Sequence, residues 1–148
     1  MRTLRAVSAV SVAALLVTMA PALVARDKPV VIGEVSSQVA RRGVDYASLV
    51  RSVSEEELRG LDWSRVPHGK RVIASIALVR MDTFEEPRTT DSTCEISATL
   101  RDARGGAVFA ILEGKARAKT DGAITSEMDA LHGALHGALA RIPEVLRR

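Results

Sequence analysis

The sequence predicts an α+β fold in which two helices pack on one face of a three- to four-stranded, mainly antiparallel sheet, in the order β-α-β-β-β-α. Three observations point there. Apolar residues recur at helical spacing in two stretches, one beginning at Tyr46 and one at Ile124. Between them lie two runs of period-two alternation joined through Ala103-Arg104-Gly105-Gly106, a hairpin signature. Before that pair, Arg71 to Thr83 is rich in Val, Ile, Ala and Leu on both sides, as suits a central strand covered on one face and partly on the other.

The first segment is an address rather than a fold element. Arg2 and Arg5 precede an apolar stretch, Ala6 to Val17, broken only by Ser8 and Ser11, and no acid occurs before Asp27. This is the n-region and h-region pattern of a secretory signal peptide. Pro21 stops the helix, and Ala20 and Ala22 offer small residues for cleavage after Ala22, with a second position after Ala25. Residues 1–25 are therefore expected to be a signal peptide, and residues 26–148 a single α+β domain. The alternative is an uncleaved anchor, because Ala6 to Ala25 approaches the ~20 residues that span a bilayer; the small residues and proline of its second half favour cleavage. A lipid anchor would need a cysteine directly after the h-region, and the sole cysteine is Cys94. The expected location is periplasmic or extracellular, without a lipid anchor.

Setting the signal peptide aside removes Arg2 and Arg5 but no acid, so 21 Lys and Arg against 18 Asp and Glu become 19 against 18. Net charge then implies no phosphate-tracking surface. Aromatic residues are few: Tyr46, Trp63, Phe84 and Phe109. Stacking platforms for single-stranded nucleic acid or sugars are not expected, and no nucleic-acid partner is.

Val30 to Val35 reads as a short opening strand. From Asp45, a plausible N-cap, Tyr46, Leu49, Val50, Val53, Leu58 and Leu61 form a helical stripe; Ser54 with Glu57 has capping-box spacing, where a second short helix could restart. Asp62 to Gly69, containing Trp63 and Pro67, is a loop. After the Arg71 to Thr83 strand, Phe84 to Asp91 is expected to be a loop. In the hairpin, Cys94, Ile96, Ala98 and Leu100 face inward from Thr93 to Asp102. From Ala107 to Lys119, Val108, Ala110, Leu112, Gly114, Ala116 and Ala118 do the same. Cys94 is expected to be a small buried hydrophobe. The last helix carries Ile124, Met128, Leu131, Leu135, Ala138, Leu139 and Ile142 within roughly 100°, and Pro143 ends or kinks it.

Few groups suggest chemistry. His132 and His136 stand four apart, with Asp129 one turn earlier, so two imidazoles and a carboxylate could share a helix side as a metal site. No Glu follows the first His, so the zinc-protease pattern is absent, and helix-edge solvation explains the spacing equally well. Gly133 and Gly137, with Ala130 and Ala134, make a small-residue face suited to close packing on the sheet or to homodimerisation through the C-terminal helix. Lys115, Arg117 and Lys119 form a cationic row that could meet an acidic partner. Trp63 and its loop are a further candidate contact. No nucleophile elbow or phosphate-binding glycine loop occurs, and Glu55-Glu56-Glu57 and Glu85-Glu86 lack an apolar setting that would raise a carboxyl pKa. No catalytic residues and no cofactor are expected.

The run from Cys94 through Asp102 and Gly105-Gly106 to Leu112-Glu113-Gly114-Lys115-Ala116, followed by the helix Ala130 to Ile142, resembles small, uncharacterised exported proteins of Gram-negative bacteria. The element order is also similar to periplasmic two-layer α/β modules of envelope-assembly lipoproteins and penicillin-binding-protein activators. The lack of catalytic motifs, together with the exported compartment, points to a non-enzymatic binding module of the cell envelope, acting through a sheet face or strand edge on another envelope protein. The alternative is a small-ligand or metal binder using the His132/His136 helix edge.

Overall fold

The computed structural model describes residues 28–148. The predicted signal peptide and both of its cleavage positions lie outside that range.

The elements are β1 (Val30–Ser37), α1 (Tyr46–Gly60), β2 (Val72–Glu85), β3 (Thr90–Asp102), β4 (Val108–Thr120), α2 (Ala123–Leu139) and α3 (Ile142–Arg147). The strands form one four-stranded sheet in the order β1-β2-β3-β4. β1 runs parallel to β2, so α1 serves as its crossover, and the two remaining pairings are antiparallel. The predicted two-layer class and element order are those found.

Alternation builds the core. Val72, Ala74, Ile76 and Leu78 of β2 and Cys94, Ile96, Ala98 and Leu100 of β3 point to the helices, where Val50, Val53, Leu131, Leu135 and Leu139 meet them, all buried. Burial pushes the Cys94 thiol up to about 12, with neighbouring Glu95 adding to the shift. At ordinary pH it is therefore a packed, protonated group.

Local chemistry decides where elements start and stop. Asp45 caps α1 by accepting from the Ser48 amide at 3.1 Å. Ser54 does not restart a second helix. Its neighbours Val50, Val53 and Leu58 keep one unbroken stripe in phase, and Ser54 is carried into the core, where its hydroxyl has no hydrogen-bond partner. Pro143 marks the break expected of it: α2 ends at Leu139, and the proline stands in the first turn of α3, where no amide donor is needed, buried with Ile142 and Leu146.

The predicted Phe84 to Asp91 loop is shorter than expected, half of it being strand. β2 and β3 pair out to Glu85 and Thr90, leaving a tight turn closed by the Glu86 amide on the Thr89 carbonyl at 2.8 Å. The β3–β4 turn uses Gly106 at φ +68, which a side chain would strain. Beyond it a bulge shifts the register, Leu100 opposing Ala110 and Arg101 opposing Val108. The inward row of β4 therefore begins at Ala110, and Val108, expected in the core, is exposed.

α2 lies unusually close to β4. A Cβ built at Gly114 would stand 1.9 Å from the Ala134 carbonyl oxygen, and one at Gly133 would stand 2.8 Å from the Ala116 methyl. Ala130, Ala134 and Ala138 are fully buried, so the small-residue side of α2 is spent largely on its own sheet. Gly137 has nothing within 4 Å of its added Cβ.

Candidate interaction surface

Because the inward rows of all four strands meet the helices, the opposite rows form a second sheet face that neither helix covers. Pairing aligns them: Val31 of β1 opposes Ile73, and Ser75, Thr99 and Ile111 form a row across β2, β3 and β4. Val31 and Ile111 are each 61% exposed and Phe109 46%. Val79, next to buried Leu78, joins them by alternation, and the bulge that follows puts Arg80 on this face too. These large apolar side chains are spread over a face that the fold itself does not use, with Ser75, Thr99 and Arg101 standing between them.

Toward the β2–β3 turn the same face becomes charged. Lys115 reaches Glu95 at 2.5 Å, Lys119 reaches Glu86 at 2.7 Å, and the Arg117 Nε donates to both Asp91 oxygens at 2.7 and 2.9 Å. Arg80 pairs with Asp82 nearby. The cationic row Lys115, Arg117 and Lys119 thus has carboxylates of its own chain as partners. Those partners are held below their ordinary values: Asp91 chiefly by the hydrogen bond from Arg117, Glu95 by that from Lys115 and Glu86 by that from Lys119.

A carboxyl with a depressed folded pKa stabilises the fold fully above its unfolded value and loses that contribution as pH falls through the folded one. The ordinary values are 3.8 for Asp91 and 4.5 for Glu86 and Glu95. Stability is therefore expected to be flat through neutrality and to fall as pH drops below about 4.5. Urea midpoints measured across that range should decline less steeply for Asp91→Asn than for the unsubstituted chain; equal slopes would remove Asp91 from the account.

The remaining candidates are dispersed. Asp129 and His136 are exposed and His132 half-buried along α2. His136 Nδ1 lies 2.9 Å from Glu57 Oε2, which ties α2 to α1. Among the described residues, no three His, Cys, Asp or Glu side chains are grouped so as to hold a metal. Trp63 is half-buried, its Nε1 donating to the Leu58 carbonyl at 3.2 Å, and it lines a cleft of about 540 Å³.

The sequence did not single out Glu127. This carboxylate is only 7% exposed, yet it faces the sheet from the first half of α2. Its Oε1 accepts from Arg41 at 2.5 Å and from Thr83 at 2.7 Å, and its Oε2 accepts from the Tyr46 hydroxyl at 3.1 Å. Thr83 and Ser92 hydroxyls sit 3.3 Å apart beneath it. Burial first, then Glu127, pushes the Tyr46 phenol up. One carboxylate so joins the β1–α1 loop, α1, β2 and α2, and with its oxygens taken by three donors it acts as a tie. The available signal was Glu127 itself, three residues after Ile124 and four before Leu131, a charge within the apolar stripe.

No protein-family model matches the chain, and no curated protein matches it. Solved structures do. The fold is similar to that of PelC. A PelC variant from Paraburkholderia phytofirmans, solved as a dodecamer, superposes with a TM-score of 0.57 at 15% identity, over 82% of this chain and 88% of that one. A hypothetical protein of Chlamydia trachomatis, CT253, gives 0.51 at 9% identity, over 79% of this chain and 96% of that one. A Caulobacter crescentus protein provisionally assigned as a lipoprotein gives 0.46 at 16% identity, over 78% and 87%. At these identities, what the chain shares with PelC and CT253 is the two-layer fold. Among the described residues, no helix is long and apolar enough to cross a membrane.

Proposed function

We propose that this protein is an exported, non-catalytic module of the bacterial envelope that works by assembling through the open face of its sheet, with further copies of itself as the occupant. The observation that carries this reading is the exposure of Val31, Val79, Phe109 and Ile111 together on a face covered by neither helix. Apolar area of that kind favours association at about 25 cal/mol per Å² buried. The ion-paired rungs at Glu95, Asp91 and Glu86 supply a polar rim beside it. β4 also lies at the sheet edge for thirteen residues without a proline, which leaves backbone donors and acceptors for an added strand. A copy of the chain is favoured as occupant because PelC, of similar fold, assembles as a dodecamer.

The reading predicts that Val31→Lys combined with Ile111→Lys reduces the sedimenting mass of residues 26–148 to that of a monomer while leaving circular dichroism unchanged. Retention of the parent mass by that variant would remove the sheet face as the interface. A monomeric parent whose capture of another envelope protein is lost in the variant would keep the surface and overturn self-assembly as its use.

A further inference from the structure

At the end of the sheet remote from Glu127, the Trp63 cleft meets a second cleft of about 690 Å³, and the two share Gly69, Lys70 and Arg71. The first is walled by the start of β1 and the α1–β2 loop; the second by the start of β2, the β3–β4 turn and α3. Their linings carry Lys28, Lys70, Arg71, Arg104 and Arg148 against two acids, Asp62 and Asp102, and every one of those cations is exposed. Lys70 donates to the Leu146 carbonyl at 2.8 Å, which fixes it at the junction. Since residues 26–148 hold 19 Lys and Arg against 18 Asp and Glu, this concentration of cations makes the domain electrically lopsided. Apolar surface adjoins it, with Phe109 lining the second cleft and Val108 beside it.

The path of the chain gives this end a direction. Pro29 anchors the start of β1, its carbonyl accepting from the Val72 amide at 2.9 Å. The 27 residues before Lys28, with the apolar run Ala6 to Val17, therefore join the domain here. Cleavage of that segment would leave the new N-terminus a few residues before Lys28, at this same end.

We infer that the basic end docks on an anionic lipid surface, with Lys28, Lys70, Arg104 and Arg148 against headgroup phosphates and Phe109 at the interface. Clustered cations beside an exposed aromatic are the chemistry by which peripheral domains hold such surfaces. The cations of this end lie outside the sheet-face patch, with which the docking surface shares only Phe109, and the two uses are read by different measurements.

All described core residues lie between Val30 and Leu146, so the chain from Arg26 carries that whole core and is the form to test. It is sedimented with vesicles of phosphatidylcholine containing phosphatidylglycerol, and with vesicles of phosphatidylcholine alone. Binding is expected only to the anionic vesicles and should weaken with added salt. Lys28→Gln with Arg104→Gln should lower the partition coefficient about tenfold, whereas Arg42→Gln with Arg88→Gln, which removes the same charge from the opposite end, should change it less than about twofold. Sedimenting mass without vesicles should be unaffected by either pair. Equal losses in the two variants, equal binding to both vesicle types, or no binding to anionic vesicles would overturn the inference.

Discussion

Replacing Gly114 by valine is expected to cost roughly 3–5 kcal/mol of folding stability, the largest effect of any single substitution in β4. The reason is backbone, not side chain. A Cβ at this position would lie 1.9 Å from the Ala134 oxygen, 2.9 Å from the Ala134 carbonyl carbon and 3.0 Å from the Ala138 nitrogen. No rotamer change relieves such contacts, so α2 must lift from β4 and give up the packing of Leu131, Leu135 and Leu139. Total stabilities are commonly about 5–15 kcal/mol, so the loss is a large share of the whole. Gly137→Ala is the matched control. It lies in the same helix–sheet layer with open space at its Cβ, and it should stabilise by about 0.5–1 kcal/mol through helix propensity. Urea unfolding followed by circular dichroism measures both; a Gly114→Val loss below about 1 kcal/mol would mean that α2 does not rest on β4 as described.

Glu127→Ala is the second large effect, at about 2–4 kcal/mol. Removing the carboxylate deprives the Tyr46 hydroxyl and the Thr83 hydroxyl of their acceptor and leaves Arg41 without its partner. Tyr46 is only 5% exposed, so water cannot readily replace the lost bond. Tyr46→Phe alone should cost less, because the acid retains two donors. In the double variant the losses should fall short of additive, which a double-mutant cycle by urea unfolding resolves. Strict additivity would show that the two groups do not share one network.

The fold was legible in the sequence because its layers are written in period. Alternation in β3 and β4, the turn at Gly105-Gly106 and the stripes of α1 and α2 each specify one buried side, and the strands and helices found match them except at Ile124, which the first turn of α2 leaves exposed. What escaped were features set by partners distant in sequence. The register shift at Leu100 and Arg101 depends on how β3 meets β4, and it sends Val108 out of the expected core. Ser54 looks like a cap until the phase of Val50, Val53 and Leu58 carries it inside.

The candidate surface was legible only in part. Lys115, Arg117 and Lys119 share a sheet face as alternation demands, but their pairing with Glu95, Asp91 and Glu86 requires the strand register. Period-two alternation placed Ile111 and Phe109 opposite the core; that the opposite face lacks a covering layer follows from where both helices pack. Glu127 was visible as a charge in an apolar stripe, yet its meaning rests on Arg41, Tyr46 and Thr83 arriving from three other segments.

Sedimentation velocity of residues 26–148 over a series of protein concentrations tests the central claim most directly. Assembly through the sheet face predicts a species heavier than the monomer whose share grows with concentration. A single monomeric boundary at every concentration would contradict it.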